Sequence, residues 1–148
     1  MLLEEIVVTA RRREELLSDV PASLSVFSQG QVNDSNISNL ADIATYTPSL
    51  QVNNRFGTDN ATFAIRGFQQ ELRTTASVGV YFAEVVALRG ANSQQSGDGA
   101  PPGDLYDLSS IQVLKGPTGT LFGRNTAGGA VILTPRAPTD EWEGYIEG

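Results

Sequence analysis

Asp107-Leu-Ser-Ser-Ile-Gln-Val-Leu-Lys-Gly-Pro-Thr-Gly-Thr-Leu-Phe-Gly-Arg-Asn-Thr-Ala-Gly-Gly-Ala-Val-Ile-Leu-Thr134 holds two apolar runs around a glycine-rich centre. The first run, marked by Ile111 and Val113, reads as a buried strand that enters a turn at Gly116-Pro117. The second, Ala130 to Leu133, reads as another strand. Glycines at 116, 119, 123, 128 and 129 allow positive φ and close backbone approach. They also remove side chains, so some other surface has to pack against this segment.

Spacing excludes one use of such glycines. A phosphate-binding loop needs Gly, four residues, then Gly-Lys-Ser/Thr. Before Gly123-Arg124 the first glycine position holds Thr118, and the hydroxyl position holds Asn125. No Gly-x-Gly-x-x-Gly occurs in the chain. Composition narrows function further. The 148 residues suit one domain with short appendages. With no Cys and no His, disulfides, thiolate or imidazole metal sites, and Cys or Ser–His catalysis are excluded by inventory. Asp and Glu are scattered without a Ca²⁺-loop spacing. No catalytic residue, cofactor or metal site is therefore expected. The net charge of −7 argues against nucleic acid as a partner. No apolar run is long enough for a membrane-spanning helix, and Met1-Leu-Leu is followed at once by Glu4-Glu5, unlike a secretory leader.

The amino-terminal part begins with Glu4-Glu-Ile-Val-Val-Thr-Ala10, a β-prone run with acidic flanks and no neighbouring partner strand. Two readings stay open on residues alone: a first strand of the domain, or a segment that adds to another protein's sheet edge. Residues 11–17 are read as a solvated linker in preference to two helical turns. Strands are expected over 22–27, 50–53, 63–67 and 78–86. In the last of these, Val78, Val80 and Phe82 alternate with Gly79, Tyr81 and Ala83. A helix is expected from Ser38, as N-cap, to Tyr46, with Ile37, Leu40, Ala41 and Ala44 as its apolar stripe and Ile43 beside it. Pro48 stops it. Residues 88–103 are Gly/Ser/Pro-rich and read as a long loop without fixed structure.

Several of these motifs, in this order, resemble the plug domain of TonB-dependent outer-membrane receptors. They are the strand–helix–strand block over Val20 to Val52, Phe63-Ala-Ile-Arg-Gly67, Val78-Gly-Val-Tyr81, and Leu114-Lys-Gly-Pro117 with its glycine-rich continuation. The resemblance implies an α+β plug fold: a small mixed four-stranded sheet with short helices and long loops. It divides the chain into residues 1–20 (TonB box and linker), 21–137 (plug) and 138–148 (start of a first barrel strand). In the last segment, Trp142, Gly144 and Ile146 alternate with Glu143, Tyr145 and Glu147 as a transmembrane barrel strand does. One departure concerns the family's Val-Asp-Gly-Val turn, where this chain has Phe82-Ala-Glu-Val85 and so lacks the Asp-Gly pair.

The resemblance also assigns roles. Glu5, Ile6, Val7, Val8, Thr9 and Ala10 would form the TonB box, pairing with the TonB C-terminal domain that ExbB–ExbD energises. Arg66 and Lys115, with Arg124, would lock the plug to carboxylates of the surrounding β-barrel. The glycines would give a smooth, hydrated surface against the barrel wall. Arg55, Phe56, Gln69, Gln70, Arg73 and Thr74 would face an extracellular small-molecule ligand. The implied function is a gate in the outer membrane of a Gram-negative bacterium, admitting a scarce nutrient such as a ferric siderophore. The alternative is a free-standing periplasmic adaptor that binds TonB or a ligand without a barrel.

Overall fold

A computed structural model describes residues 7–8, 15–16, 23–53, 62–69, 76–86, 105, 107–140 and 144. Nine strands and three helices are defined there. In chain order they are β1 (Val7–Val8), β2 (Glu15–Leu16), β3 (Ser23–Ser28), α1 (Gln29–Asp34), α2 (Leu40–Tyr46), β4 (Leu50–Asn53), β5 (Thr62–Ile65), β6 (Val78–Phe82), β7 (Val85–Val86), β8 (Leu108–Lys115), α3 (Gly119–Phe122) and β9 (Gly129–Pro135).

The main sheet is mixed, in the order β3-β8-β9-β6-β7. Only β6 and β9 run parallel; β3–β8, β8–β9 and β6–β7 are antiparallel. The expected fold class holds, but the sheet has five strands rather than four. The fifth is β7, split from β6 by a turn at Ala83-Glu84 where a single strand over 78–86 was expected. Both turn residues have positive φ, 48° and 66°. Their sequence lacks the glycine or asparagine that normally eases this conformation, yet the tight two-residue connection persists.

The continuous apolar run Ala130-Val-Ile-Leu133 makes β9 central, covered on both faces. Alternation divides its side chains between two cores. Val131 and Leu133 join Ile111, Val113, Val78 and Val80 on one face, packed with Val32 of α1, Ile43 of α2 and Phe63 and Ile65 of β5. Ala130 and Ile132 join Leu114, Tyr81 and Phe122 on the other, where Leu24 and Val26 of β3 complete the cover. Tyr81 is thus buried on the face opposite Val78 and Val80, as the alternation predicts, while Phe82 is 39% exposed. A polar handle holds Tyr81 there: the Tyr81 hydroxyl donates to the Phe122 carbonyl at 2.7 Å, and the two rings pack 4.9 Å apart.

Helix α2 is capped by Asn39, one residue after the expected Ser38. The Asn39 side chain accepts from the Ala41 and Asp42 amides, while Asp42 accepts from the Asn39 amide. Ser38 instead donates its amide and hydroxyl to Asp42. Burial alone raises the Asp42 pKa; these hydrogen bonds outweigh it, and the net shift is downward. Ile43, expected beside the apolar stripe, is fully buried, whereas Ala41 and Ala44 are half-buried. Helix α1 was not expected from sequence. Its start is a capping box, with Ser28 accepting from the Gln31 amide and the Gln31 side chain accepting from the Ser28 amide.

Segment 11–17 departs from the linker expectation. Glu15 and Leu16 form β2, which pairs antiparallel with β1 as a separate two-stranded sheet. The loop expected over 88–103 lies outside the described residues, as does the barrel-like tail apart from residues 138–140 and Gly144.

Candidate functional site

The third sheet sets the geometry. Strands β4 and β5 pair antiparallel from Leu50↔Ile65 to Asn53↔Thr62. Past Ile65 the chain turns back sharply: Arg66 and Gly67 both adopt positive φ, 52° and 81°. The Phe68 amide donates to the Ile65 carbonyl at 2.9 Å, and the Ile65 amide donates to the Phe68 carbonyl at 3.2 Å. The Arg66 amide donates to the Ser49 carbonyl at 3.0 Å, fixing the turn to the residue before β4. Buried Ile65 and Phe63 hold this hairpin on the main sheet while Arg66 stays exposed.

Lys115 ends β8, opposite Ser23 of β3 and Gly129 of β9. The Arg66 guanidinium lies beside the next residue, Gly116, with Nη1 3.6 Å from where a Cβ would stand. Desolvation, and secondarily the Arg66 charge, push the Lys115 pKa below its ordinary value. Ile-Arg-Gly and Leu-Lys-Gly-Pro, distant in sequence, therefore meet in space. Among the described residues neither cation has a carboxylate partner. Arg124 is exposed in the turn after α3.

The glycine-rich segment between β8 and β9 is an ordered extension of their hairpin. Gly116 donates to the Gly128 carbonyl at 3.0 Å and Thr118 to that of Thr126 at 3.1 Å. Thr126 closes the far end with its hydroxyl on the Gly123 carbonyl at 2.7 Å. The expectation of uniformly wall-facing glycines fails at 128 and 129, which are buried. Gly129 has φ 148°, and a Cβ there would collide with the Leu114 carbonyl and sit 2.9 Å from Ile65 Cδ1. Close strand approach, rather than a smooth outer surface, requires glycine at that position.

Of the residues expected to face a ligand, Arg55, Phe56, Gln70, Arg73 and Thr74 lie outside the described residues. Gln69 is described and exposed. It borders a cavity of about 90 Å³ with Gln51, Val52, Asn53, Thr62, Phe63 and Ala64. Asn53 and Thr62 are the two roots of the connection that carries Arg55 and Phe56. Sequence reading missed Gln51, Asn53 and Thr62; their signal was polar residues interleaved with Val52 and Phe63 on short strands. In the amino-terminal segment, Val7 and Val8 form β1, while Glu5, Ile6, Thr9 and Ala10 lie outside the described residues.

A family model described as the TonB-dependent Receptor Plug Domain matches residues 16–130. The chain belongs to this family. The ferripyoverdine receptor of Pseudomonas aeruginosa is 26% identical over 141 residues, 95% of the chain and 16% of the receptor. A vitamin B12 transporter of Vibrio vulnificus is also 26% identical, over 93% of the chain and 22% of the transporter. Among solved structures, the pyoverdine outer membrane receptor of P. aeruginosa bound to pyoverdine superposes with a TM-score of 0.70 at 23% identity, over 93% of the chain and 19% of that receptor. At that identity the likeness establishes the fold. The plug spans about a fifth of the length of these relatives. They are receptors and transporters, so the chain is a plug domain and not an enzyme, and its setting is the outer membrane of a Gram-negative bacterium.

Proposed function

We propose that this plug is the gate and ligand platform of a TonB-dependent transporter for a scarce nutrient, a ferric siderophore being the leading class. The observation that carries this reading is the meeting of Arg66 and Lys115. Two cations brought together without a carboxylate among the described residues are unfavourable on their own. Carboxylates on an enclosing barrel would supply the missing counter-charge and hold the gate shut. Arg124, exposed nearby in sequence, would add a weaker contact. Gln69 and the Gln51–Asn53–Thr62 cavity would form part of the ligand platform, with Arg55, Phe56, Gln70, Arg73 and Thr74 on the adjoining connections. Residues 5–10 would pair with the TonB C-terminal domain, energised through ExbB–ExbD. The free-standing adaptor has no support from the ferripyoverdine receptor or the vitamin B12 transporter, each several times longer than this chain.

Energised uptake by a full receptor carrying this plug is the test. Val7→Pro removes a strand N–H and should abolish TonB-dependent transport while external ligand binding persists. Unchanged transport would sink the assignment of residues 5–10. The double variant Arg66→Glu/Lys115→Glu should make cells permeable to large antibiotics, because the lock becomes repulsive.

A further inference from the structure

Among the described residues, no charged side chain lines the cavity at β4, β5 and Gln69. Its polar lining is the carboxamides of Gln51, Asn53 and Gln69 and the hydroxyl of Thr62; Val52, Phe63 and Ala64 complete it. Alternation along β4 directs Leu50 and Val52 to the core and leaves Gln51 and Asn53 exposed, opposite Ala64 and Thr62 of β5. The adjoining connections cancel in charge: residues 54–61 hold Arg55 and Asp59, and residues 70–75 hold Glu71 and Arg73. Arg66 lies past the opposite end of the hairpin, with its guanidinium beside Gly116. We propose that Gln51, Asn53 and Thr62 form a charge filter, and that the ligand they accept is an electroneutral ferric trihydroxamate and not an anionic chelate. This selectivity rests on the reading of the plug as the ligand platform of a siderophore transporter.

The charge of a ferric chelate follows from its ligating groups. Three singly charged hydroxamates cancel Fe³⁺, whereas three doubly charged catecholates leave a trianion. An anion set against neutral groups loses hydration without gaining a counter-charge. A trianionic chelate therefore needs cations that this lining does not offer. A neutral trihydroxamate presents carbonyl and N–O oxygens, together with the amides of its scaffold, all of which hydrogen-bond. Carboxamides suit these groups because each carries N–H donors and an accepting oxygen, and a threonine hydroxyl both donates and accepts. Val52, Phe63 and Ala64 give the methylene arms of the chelate an apolar contact. At about 90 Å³ the cavity is far smaller than the roughly 300–1,000 Å³ of a pocket that encloses a whole small molecule. It takes one arm of the chelate and leaves the remainder to other surfaces.

Equilibrium binding to a full receptor carrying this plug, purified in detergent, tests the filter. The probes are ferrichrome and ferric coprogen, both neutral trihydroxamates, and ferric enterobactin, a trianionic tricatecholate. The parent should bind one of the trihydroxamates at least about tenfold more tightly than the tricatecholate. Gln51→Lys combined with Asn53→Lys should lower that ratio by about tenfold, since it adds two cations and removes two carboxamides. Gln51→Glu should raise the ratio, because an anion there repels the tricatecholate further. Each ratio compares two probes on one preparation, so a loss of folded receptor cancels. A parent that prefers the tricatecholate would overturn the filter and leave the siderophore transporter standing. A trihydroxamate preference that neither variant moves would also overturn it, placing selectivity on the barrel. Binding of a neutral maltooligosaccharide but of none of the three chelates would overturn the siderophore reading, and the filter with it. Failure of every probe to bind would remove the ligand platform itself.

Discussion

Lys115 shows what meeting Arg66 costs a single side chain. Its pKa lies below the ordinary lysine value of 10.5, first through desolvation and then through the neighbouring guanidinium. The sign of the pH effect follows. Between the folded and unfolded pKa values the folded state binds fewer protons, so this group makes stability rise with pH as it titrates. Below that window the charged ammonium is a constant burden on the isolated plug. Lys115→Met, which keeps the apolar stem, should therefore stabilise the isolated chain at pH 7 by up to about 0.5 kcal/mol in urea denaturation. The advantage over the parent should shrink as pH approaches 10. A variant less stable than the parent at pH 7 would show that the ammonium is already compensated. Asp42 has the opposite linkage: its pKa is lowered, so its contribution is present at neutral pH and lost as acid protonates it.

At the scale of elements, the β6–β7 connection carries visible strain. Ala83 and Glu84 both occupy the left-handed region, which costs an ordinary residue about 1–2 kcal/mol. Neighbouring structure imposes the turn. The Ala83 amide donates to the Leu133 carbonyl at 3.0 Å, and Tyr81 and Phe82 pair with Val86 and Val85. Ala83→Asn combined with Glu84→Gly should raise stability by about 1 kcal/mol, read as a higher urea midpoint with an unchanged slope. No gain would mean that the turn is relaxed as it stands. The sequence registered the loss of the usual Asp-Gly pair but not the survival of the turn, because strand pairing overrides local preference here. Helix α1 was missed for a related reason: its only buried residue is Val32, so it offers no apolar stripe, and its legible mark is the Ser28–Gln31 capping box.

At the scale of the molecule, β8 and β9 join the two cores, and at Gly129 the Leu114 backbone leaves no room for a side chain. Gly129→Ala combines an unfavourable φ of 148° with a collision against the Leu114 carbonyl. It should destabilise the plug by about 2–4 kcal/mol, checked by thermal or urea unfolding. A loss below about 0.5 kcal/mol would show that the two strands can separate there without consequence.

The order of motifs was legible in the sequence, and with it the family, the α+β class and the approximate positions of β3, β6, β8 and β9, though not the separate strand β7. Those features depend on residues close together in the chain: apolar runs, proline stops and glycine spacing. Tertiary structure alone decided which distant residues meet. It brought Arg66 to Lys115, seated Tyr81 under Phe122, and set Gln69 against the roots of the 54–61 connection. It also paired Val7-Val8 with Glu15-Leu16, where the sequence offered only a β-prone run and a linker. The physical reason is the same in each case. Local pattern specifies how a segment prefers to lie, whereas partners across a sheet are chosen by register and by the apolar surface that two segments bury together.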